Sequence, residues 1–186
     1  MNLLLIAAAV IVVLIVIVAM RPSDFRITRT AIINGPPAAV FAQVNDFHKW
    51  DAWSPWAKMD PACKNTFEGP TGRPGAVFAW AGNQKVGEGR MTLTESRPNE
   101  LIRIKLEFFK PFKATNTAEF AFKSQGAQTV VTWSMSGKNN FMAKAFGMLV
   151  NCDKMVGGQF EQGLSAMKSI IESSSSNQLE ACPAKG

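Results

Sequence analysis

The chain has 186 residues, with 20 Lys and Arg against 14 Asp and Glu for a net charge of +6, and 47% of it is hydrophobic. The positive charge is spread thinly, without a Lys/Arg block of five or more, so a nucleic-acid footprint is not supported. Three cysteines, Cys63, Cys152 and Cys182, are odd in number, widely spaced and without a CxxC, which argues against a disulfide framework and against a zinc site.

Leu3 to Met20, LLLIAAAVIVVLIVIVAM, is an uninterrupted apolar run of about 27 Å as a helix, close to the ~30 Å hydrocarbon thickness of a bilayer. A cleaved signal peptide is the competing reading. Against it, no Lys or Arg precedes the run, the run exceeds the ~7 to 15 residues of a signal core, and Val18-Ala19-Met20-Arg21 is a poor small-residue cleavage site. Residues 1–21 therefore read as a single-pass transmembrane anchor. Arg21, Arg26 and Arg29 follow it and no basic side chain precedes it, which by the positive-inside rule puts the rest of the chain in the cytoplasm. Removing the span leaves about 165 residues, enough for one domain with a sizeable core. That domain is expected over residues 22–172, and the polar stretch 173–186, SSSSNQLEACPAKG, reads as a disordered tail.

Asp24 to Ile33 alternates as a strand, with Phe25, Ile27 and Ile33 on one side, until Asn34-Gly35-Pro36-Pro37 breaks it. A helix follows, with Pro in its first turn and Val40, Phe41 and Val44 as its stripe. The aromatic stretch FHKWDAWSPW predicts a short second helix and a loop at Ser54-Pro55. Short strands are then expected near Asn65 to Glu68, Ala76 to Trp80 and Val86 to Ser96, with Met91 and Leu93 on one face of the third. In LIRIKLEFF, Ile102, Ile104, Leu106 and Phe108 alternate with charged residues; Ala118, Phe120 and Phe122 alternate in TAEFAFK, and Val131, Trp133 and Met135 in TVVTWSM. Six or seven strands on short turns predict an antiparallel sheet with one buried and one wet face. After Gly137 the period becomes helical, first through Phe141, Ala145, Met148 and Cys152, then through Val156, Phe160, Leu164, Met167, Ile170 and Ile171. Gly157, Gly158 and Gly163 within that stretch point to a kink or a close backbone approach.

Seven strands at ~4.8 Å make a sheet about 30 Å wide, whereas a helix with its side chains is ~10 to 12 Å across. One helix does not fill a sheet curled around it. The remainder is either plugged by large side chains or left as an apolar pocket, for which the chain supplies 13 Phe and 9 Met. The ordered segments IINGPPAAVFAQVNDFHKWDAWSPW, VGEGRMTLTESRPNELIRIKLEFFKPF, NTAEFAFKSQGAQTVVTWSMSG and MVGGQFEQGLSAMKSII resemble the START-like helix-grip superfamily, in its polyketide cyclase/dehydrase and lipid-transport branch. The resemblance implies an α+β helix-grip fold: a curved antiparallel sheet of six to seven strands around a long C-terminal helix, with two short helices after the first strand. It also implies a cavity for a hydrophobic ligand such as a lipid, quinone or polyketide-like molecule.

The expected cavity residues are Met91, Leu93, Ile104, Leu106, Phe108, Ala118, Phe120, Trp133 and Met135 on the sheet, and Phe160, Leu164 and Met167 on the last helix, with Trp53, Trp56 and Trp80 toward the mouth. Catalytic resources are sparse. His48 is the only histidine, it has Asp46 and Asp51 near it in sequence, and tyrosine is absent. No Ser-His-Asp set and no HxxxH spacing appears, so hydrolysis by a triad or by zinc is not expected, and neither is a cofactor or metal. Gly87-Glu88-Gly89 lacks the length and context of a phosphate loop and is expected to mark a bulge where strand and helix approach. The leading reading is a membrane-anchored domain that binds a hydrophobic small molecule without chemistry. Two others stay open: a cyclase or dehydrase on an apolar carbonyl substrate with His48 or a desolvated carboxylate as base, and an interaction module with a filled core and an unknown protein partner.

Overall fold

The structure, a computed structural model, describes residues 2–180. Helix α1 (Asn2–Met20) leads into strand β1 (Asp24–Asn34), helix α2 (Pro37–Asn45), a 3-10 turn at Phe47–Lys49, the single-turn helix α3 (Trp50–Trp53) and a second 3-10 turn at Pro55–Lys58. Six strands follow without interruption: β2 (Lys64–Glu68), β3 (Val77–Ala81), β4 (Glu88–Arg97), β5 (Leu101–Lys110), β6 (Ala114–Gln125) and β7 (Gln128–Lys138). The chain then forms α4 (Phe141–Leu149) and α5 (Cys152–Glu180).

The seven strands make one antiparallel sheet in the order β1-β7-β6-β5-β4-β3-β2. Consecutive strands from β2 to β7 are neighbours, and β1 closes onto β7 in unbroken register from Asp24↔Lys138 to Asn34↔Gln128. The first two strands in sequence thus lie at opposite edges, so α2 and α3 must cross the open side of the sheet. Alternation does the rest. Ile27 and Ile33 of β1, Met91 and Leu93 of β4, Ile102 and Ile104 of β5, Ala118, Phe120 and Phe122 of β6, and Val131, Trp133 and Met135 of β7 are all buried in one core. The other face is wet and carries ion pairs: Arg103 joins Glu95 and Glu119, and Glu107 accepts from Arg90 and Lys105. The Lys105 and Arg90 bonds hold the Glu107 carboxyl below the usual glutamate range.

Helix α5 packs on β1, α2 and α3 and buries Phe160, Leu164, Met167 and Ile171, spaced four, three and four residues apart. Two of its glycines permit close approach: a Cβ at Gly157 would collide with the Arg29 guanidinium, and one at Gly163 would lie 3.0 Å from the Trp133 ring and 3.3 Å from Pro55. Gly158 has open space beside it and serves no such contact. The helix also runs further than the sequence suggested. Residues 173–180, expected as the start of a disordered tail, continue α5, and the Ser173 and Ser174 hydroxyls donate to the carbonyls four residues back, at 2.7 and 2.8 Å. No proline interrupts the helix before Pro183, and serines bonded in this way keep their polar groups satisfied within it. The remainder of the expected tail, 181–186, lies outside the described residues.

Arg29 on β1 fastens the start of α5, donating from Nη2 to Asp153 at 3.0 Å and from Nε to Glu161 at 2.6 Å. The bond from Arg29 holds the Asp153 carboxyl below the ordinary aspartate range. A carboxylate whose folded-state pKa is depressed contributes stability above its unfolded value and loses it as pH falls through the folded one. The wild type is therefore expected to melt higher than Asp153→Asn at about pH 7, and the gap is expected to close by about pH 2. Thermal unfolding of the two proteins across that range checks it, and a gap that persists in acid contradicts the assignment.

Candidate functional site

Between the sheet, α3 and the first half of α5 lies a cavity of about 490 Å³. Its inner wall is buried and apolar: Met91, Ala118, Trp133 and Met135 from the sheet, Phe160 from α5 and Trp50 from α3, with the Ser54 hydroxyl as a polar group. Leu106, Phe108, Phe78, Trp80, Trp56, Val86 and Val156 form half-buried sides. The rim is exposed and charged, with Asp51, Lys58, Lys85 and Lys110, and with Pro61 and Pro111 in its loops. Apolar depth with polar groups near the entrance is the form of a site for a small amphiphile, and the volume falls within the ~300–1,000 Å³ typical of such sites.

The inner wall is built around Trp133. Phe160 stacks on its ring at 4.1 Å and 9°, Phe120 stacks at 4.7 Å and 27°, and the edges of Trp50, Trp53 and Trp56 approach it. Its buried indole Nε1 has no hydrogen-bond partner among the described residues. The indoles of Trp50 and Trp53 are tied. Trp50 Nε1 donates to the Val44 carbonyl at 2.9 Å and Trp53 Nε1 to the Gln43 carbonyl at 3.1 Å. Both acceptors lie in the last turn of α2, where carbonyls have no helical partner, so the two tryptophans cap α2 while packing against the sheet. At the mouth, burial pushes the Cys63 thiol up, with nearby Asp60 adding to the effect.

Nine of the fifteen expected cavity residues line this space: Trp56, Trp80, Met91, Leu106, Phe108, Ala118, Trp133, Met135 and Phe160. Trp53, Leu93, Ile104, Phe120, Leu164 and Met167 do not, and their placement corrects the expectation. All six are at most 2% exposed and fill the half of the grip nearer the β6–β7 turn, where α2, α3 and the later turns of α5 press onto the sheet. The cavity survives only toward the opposite end. Trp50, Phe78, Val86 and Val156 were missed. Phe78 was legible, two residues from Trp80 on one strand face; Trp50 was not, because the facing of a single-turn helix depends on how α2 places it.

His48 lies outside the cavity. Its side chain is exposed, its Nδ1 is 2.9 Å from Asp46 Oδ1, and its ring stacks on Phe67 at 4.2 Å. Replacement by Ala is expected to cost less than about 1 kcal/mol and to leave ligand uptake unchanged. Denaturant unfolding together with an uptake assay checks this, and lost uptake would return His48 to the site. At Gly87-Glu88-Gly89 the β4–β5 register shifts between Glu88 and Gly89, as a bulge does. The close approach there is not to a helix but to neighbouring strands, since a Cβ on Gly89 would meet the Trp80 ring and the Glu107 carbonyl. Asn116 is buried on the concave side, where Gly137 leaves room for its amide.

Residues 24–172 match the family model for polyketide cyclase/dehydrase and lipid transport. No curated protein matches the chain. Among solved structures, the di-domain ARO/CYC protein StfQ of the steffimycin biosynthetic pathway aligns with a TM-score of 0.62 at 11% identity, over 83% of this chain and 52% of that one. Ginseng major latex-like protein 151 from Panax ginseng aligns at 0.59 and 13% identity, over 80% and 98%. The Aha1 dimer from Colwellia psychrerythraea aligns at 0.53 and 16% identity, over 80% and 96%. At these identities the likeness is one of fold.

Proposed function

We propose that this chain, which belongs to the polyketide cyclase/dehydrase and lipid transport family, is a membrane-anchored binding domain that holds one hydrophobic small molecule beneath α5. The observation that carries the reading is the cavity of about 490 Å³ with an apolar aromatic and methionine floor and a charged rim. Burial of apolar ligand surface at ~25 cal/mol per Å² supplies the affinity, and the rim groups orient a polar end. Methionines 91 and 135 suit a wall that adjusts to the shape of an acyl, isoprenoid or polyketide-like chain.

Leu3–Met20 is the one helix of the described residues long and apolar enough to cross a bilayer, and almost all of it is exposed. We take it as a single-pass anchor with the domain on the cytoplasmic side, on the strength of Arg21, Arg26 and Arg29. Tethering replaces free diffusion with a high local concentration at one membrane, so the domain acts on molecules of that membrane or on its bound partners. The experiment is native mass spectrometry of the full chain released gently from membranes of cells that contain it, followed by organic extraction. A stoichiometric apolar molecule is the expected result. An empty protein that also fails to take up fluorescent fatty acids overturns the binding reading and favours an interaction module.

A further inference from the structure

The strand register puts several features at one end of the sheet. The pairs Asp24↔Lys138, Asn116↔Gly137, Phe108↔Ala114, Glu88↔Lys110 and Lys64↔Ala81 align the start of β1, the end of β7, the β5–β6 turn, the β3–β4 turn and the start of β2. The cavity rim at Lys85, Val86, Lys110 and Pro111 belongs to the same turns, so the mouth opens at this end. Helix α1 also arrives here, since only residues 21–23 separate it from β1.

Helix α4 lies against the end of α1. Lys144 Nζ donates to the Ala19 carbonyl at 3.3 Å, Arg21 Nη1 to the Gly147 carbonyl at 3.4 Å, and Val18 is buried. Around this contact α4 leaves Phe141, Met142 (65% exposed), Phe146 (53%) and Met148 exposed. Phe112, in the β5–β6 turn beside the rim, is 71% exposed. Apart from α1, the other exposed large apolar side chains of the described residues are Phe109 at this same end, Met155 at the start of α5, and Ile32 and Phe67 elsewhere. Lys85, Lys110, Lys113 and Lys138 belong to the strand ends and turns on this side, with Asp24 and Glu88 beside them; Lys110 is paired with Glu88.

We propose that this end of the domain, with α4 and Phe112 as its apolar contacts, rests in the headgroup region of the bilayer that α1 crosses, so that the cavity mouth opens onto lipid rather than onto bulk water. The proposal rests on the anchoring reading above and goes beyond it by fixing which face of the domain meets the membrane. Two observations select a lipid surface as the occupant. The exposed apolar side chains are continuous with the exit of the spanning helix, and the lysines that outnumber the acidic residues of these turns complement an anionic interface. The ligand then passes between bilayer and cavity without crossing water.

The test uses the full chain with Cys63→Ser, Cys152→Ser and Cys182→Ser, reconstituted in vesicles of phosphatidylcholine and phosphatidylglycerol. Single cysteines at Phe112→Cys, Met142→Cys, Ile11→Cys and Ala127→Cys carry a nitroxide whose accessibility to oxygen and to a water-soluble nickel chelate is measured. The expected result is loss of nickel accessibility with gain of oxygen accessibility at 112 and 142, as at 11, while 127 in the β6–β7 turn stays open to nickel. If 11 is in lipid but 112 and 142 are open to nickel, the proposal falls and the anchor stands. If 11 itself is open to nickel, the anchor falls and takes the proposal with it. Dipolar broadening at 142 without oxygen access would put a second copy on this face and also overturns it.

Discussion

Phe120→Ala is expected to destabilise the domain by about 3–5 kcal/mol, read from the midpoint of denaturant unfolding at constant slope. The side chain is completely buried. It stacks on Trp133, its register partner on β7, and meets the edges of Trp50 and Trp53 at 6.0 and 6.2 Å. Truncation removes the transfer energy of a phenyl group and leaves a void that rigid neighbours do not close. Trp50 and Trp53 are fixed through their indole N–H bonds to α2, and Trp133 is pinned by Phe160 on α5. The loss should therefore lie toward the upper part of that range. Leu106→Ala is the control: Leu106 is half-buried and borders space that is already empty, so the same assay should read less than about 2 kcal/mol there, with weaker ligand uptake. Equal losses at the two positions would mean that the division between filled core and open cavity is misplaced.

That division was the part of the site the sequence did not reveal. Strand facing was legible, because a period of two places Ala118, Phe120 and Phe122 on one side of β6 whatever packs above them. The sheet, the long last helix and the short helices after β1 followed from the same reasoning. Whether Ala118 faces a ligand and Phe120 faces a tryptophan depends on how far α3 and α5 reach across the sheet. That reach is set by contacts remote in sequence, among them the Trp50 and Trp53 bonds to α2, the Arg29 clamp on Asp153 and Glu161, and the notch at Gly163. The helical period through Phe141, Ala145, Met148 and Cys152 was visible as well, but what α4 packs against was not. Lys144 and Gly147 bond to the end of α1, and Phe141 and Phe146 stay exposed.

Ala118→Trp is expected to abolish uptake of a fluorescent fatty acid, at least about a tenfold loss of affinity, or ~1.4 kcal/mol, while the protein stays folded. Ala118 lies between Ile104 on β5 and Met135 on β7, is 4% exposed and forms part of the cavity's inner wall. An indole built there has the cavity to enter, so it displaces ligand volume instead of forcing the packed core apart. Overpacking of a filled site would instead cost about 1–3 kcal/mol, and the unfolding midpoint distinguishes the two cases. Thr117→Trp adds the same bulk to the opposite face of the same strand, beside Lys105 and Ser136, and is expected to leave uptake intact. Ligand bound undiminished by a folded Ala118→Trp protein would place the molecule elsewhere, and the proposed function would lose the observation that carries it. Uptake lost at 118 and kept at 117 would locate the ligand on the concave face, between Met135 and α5, in the cavity of about 490 Å³.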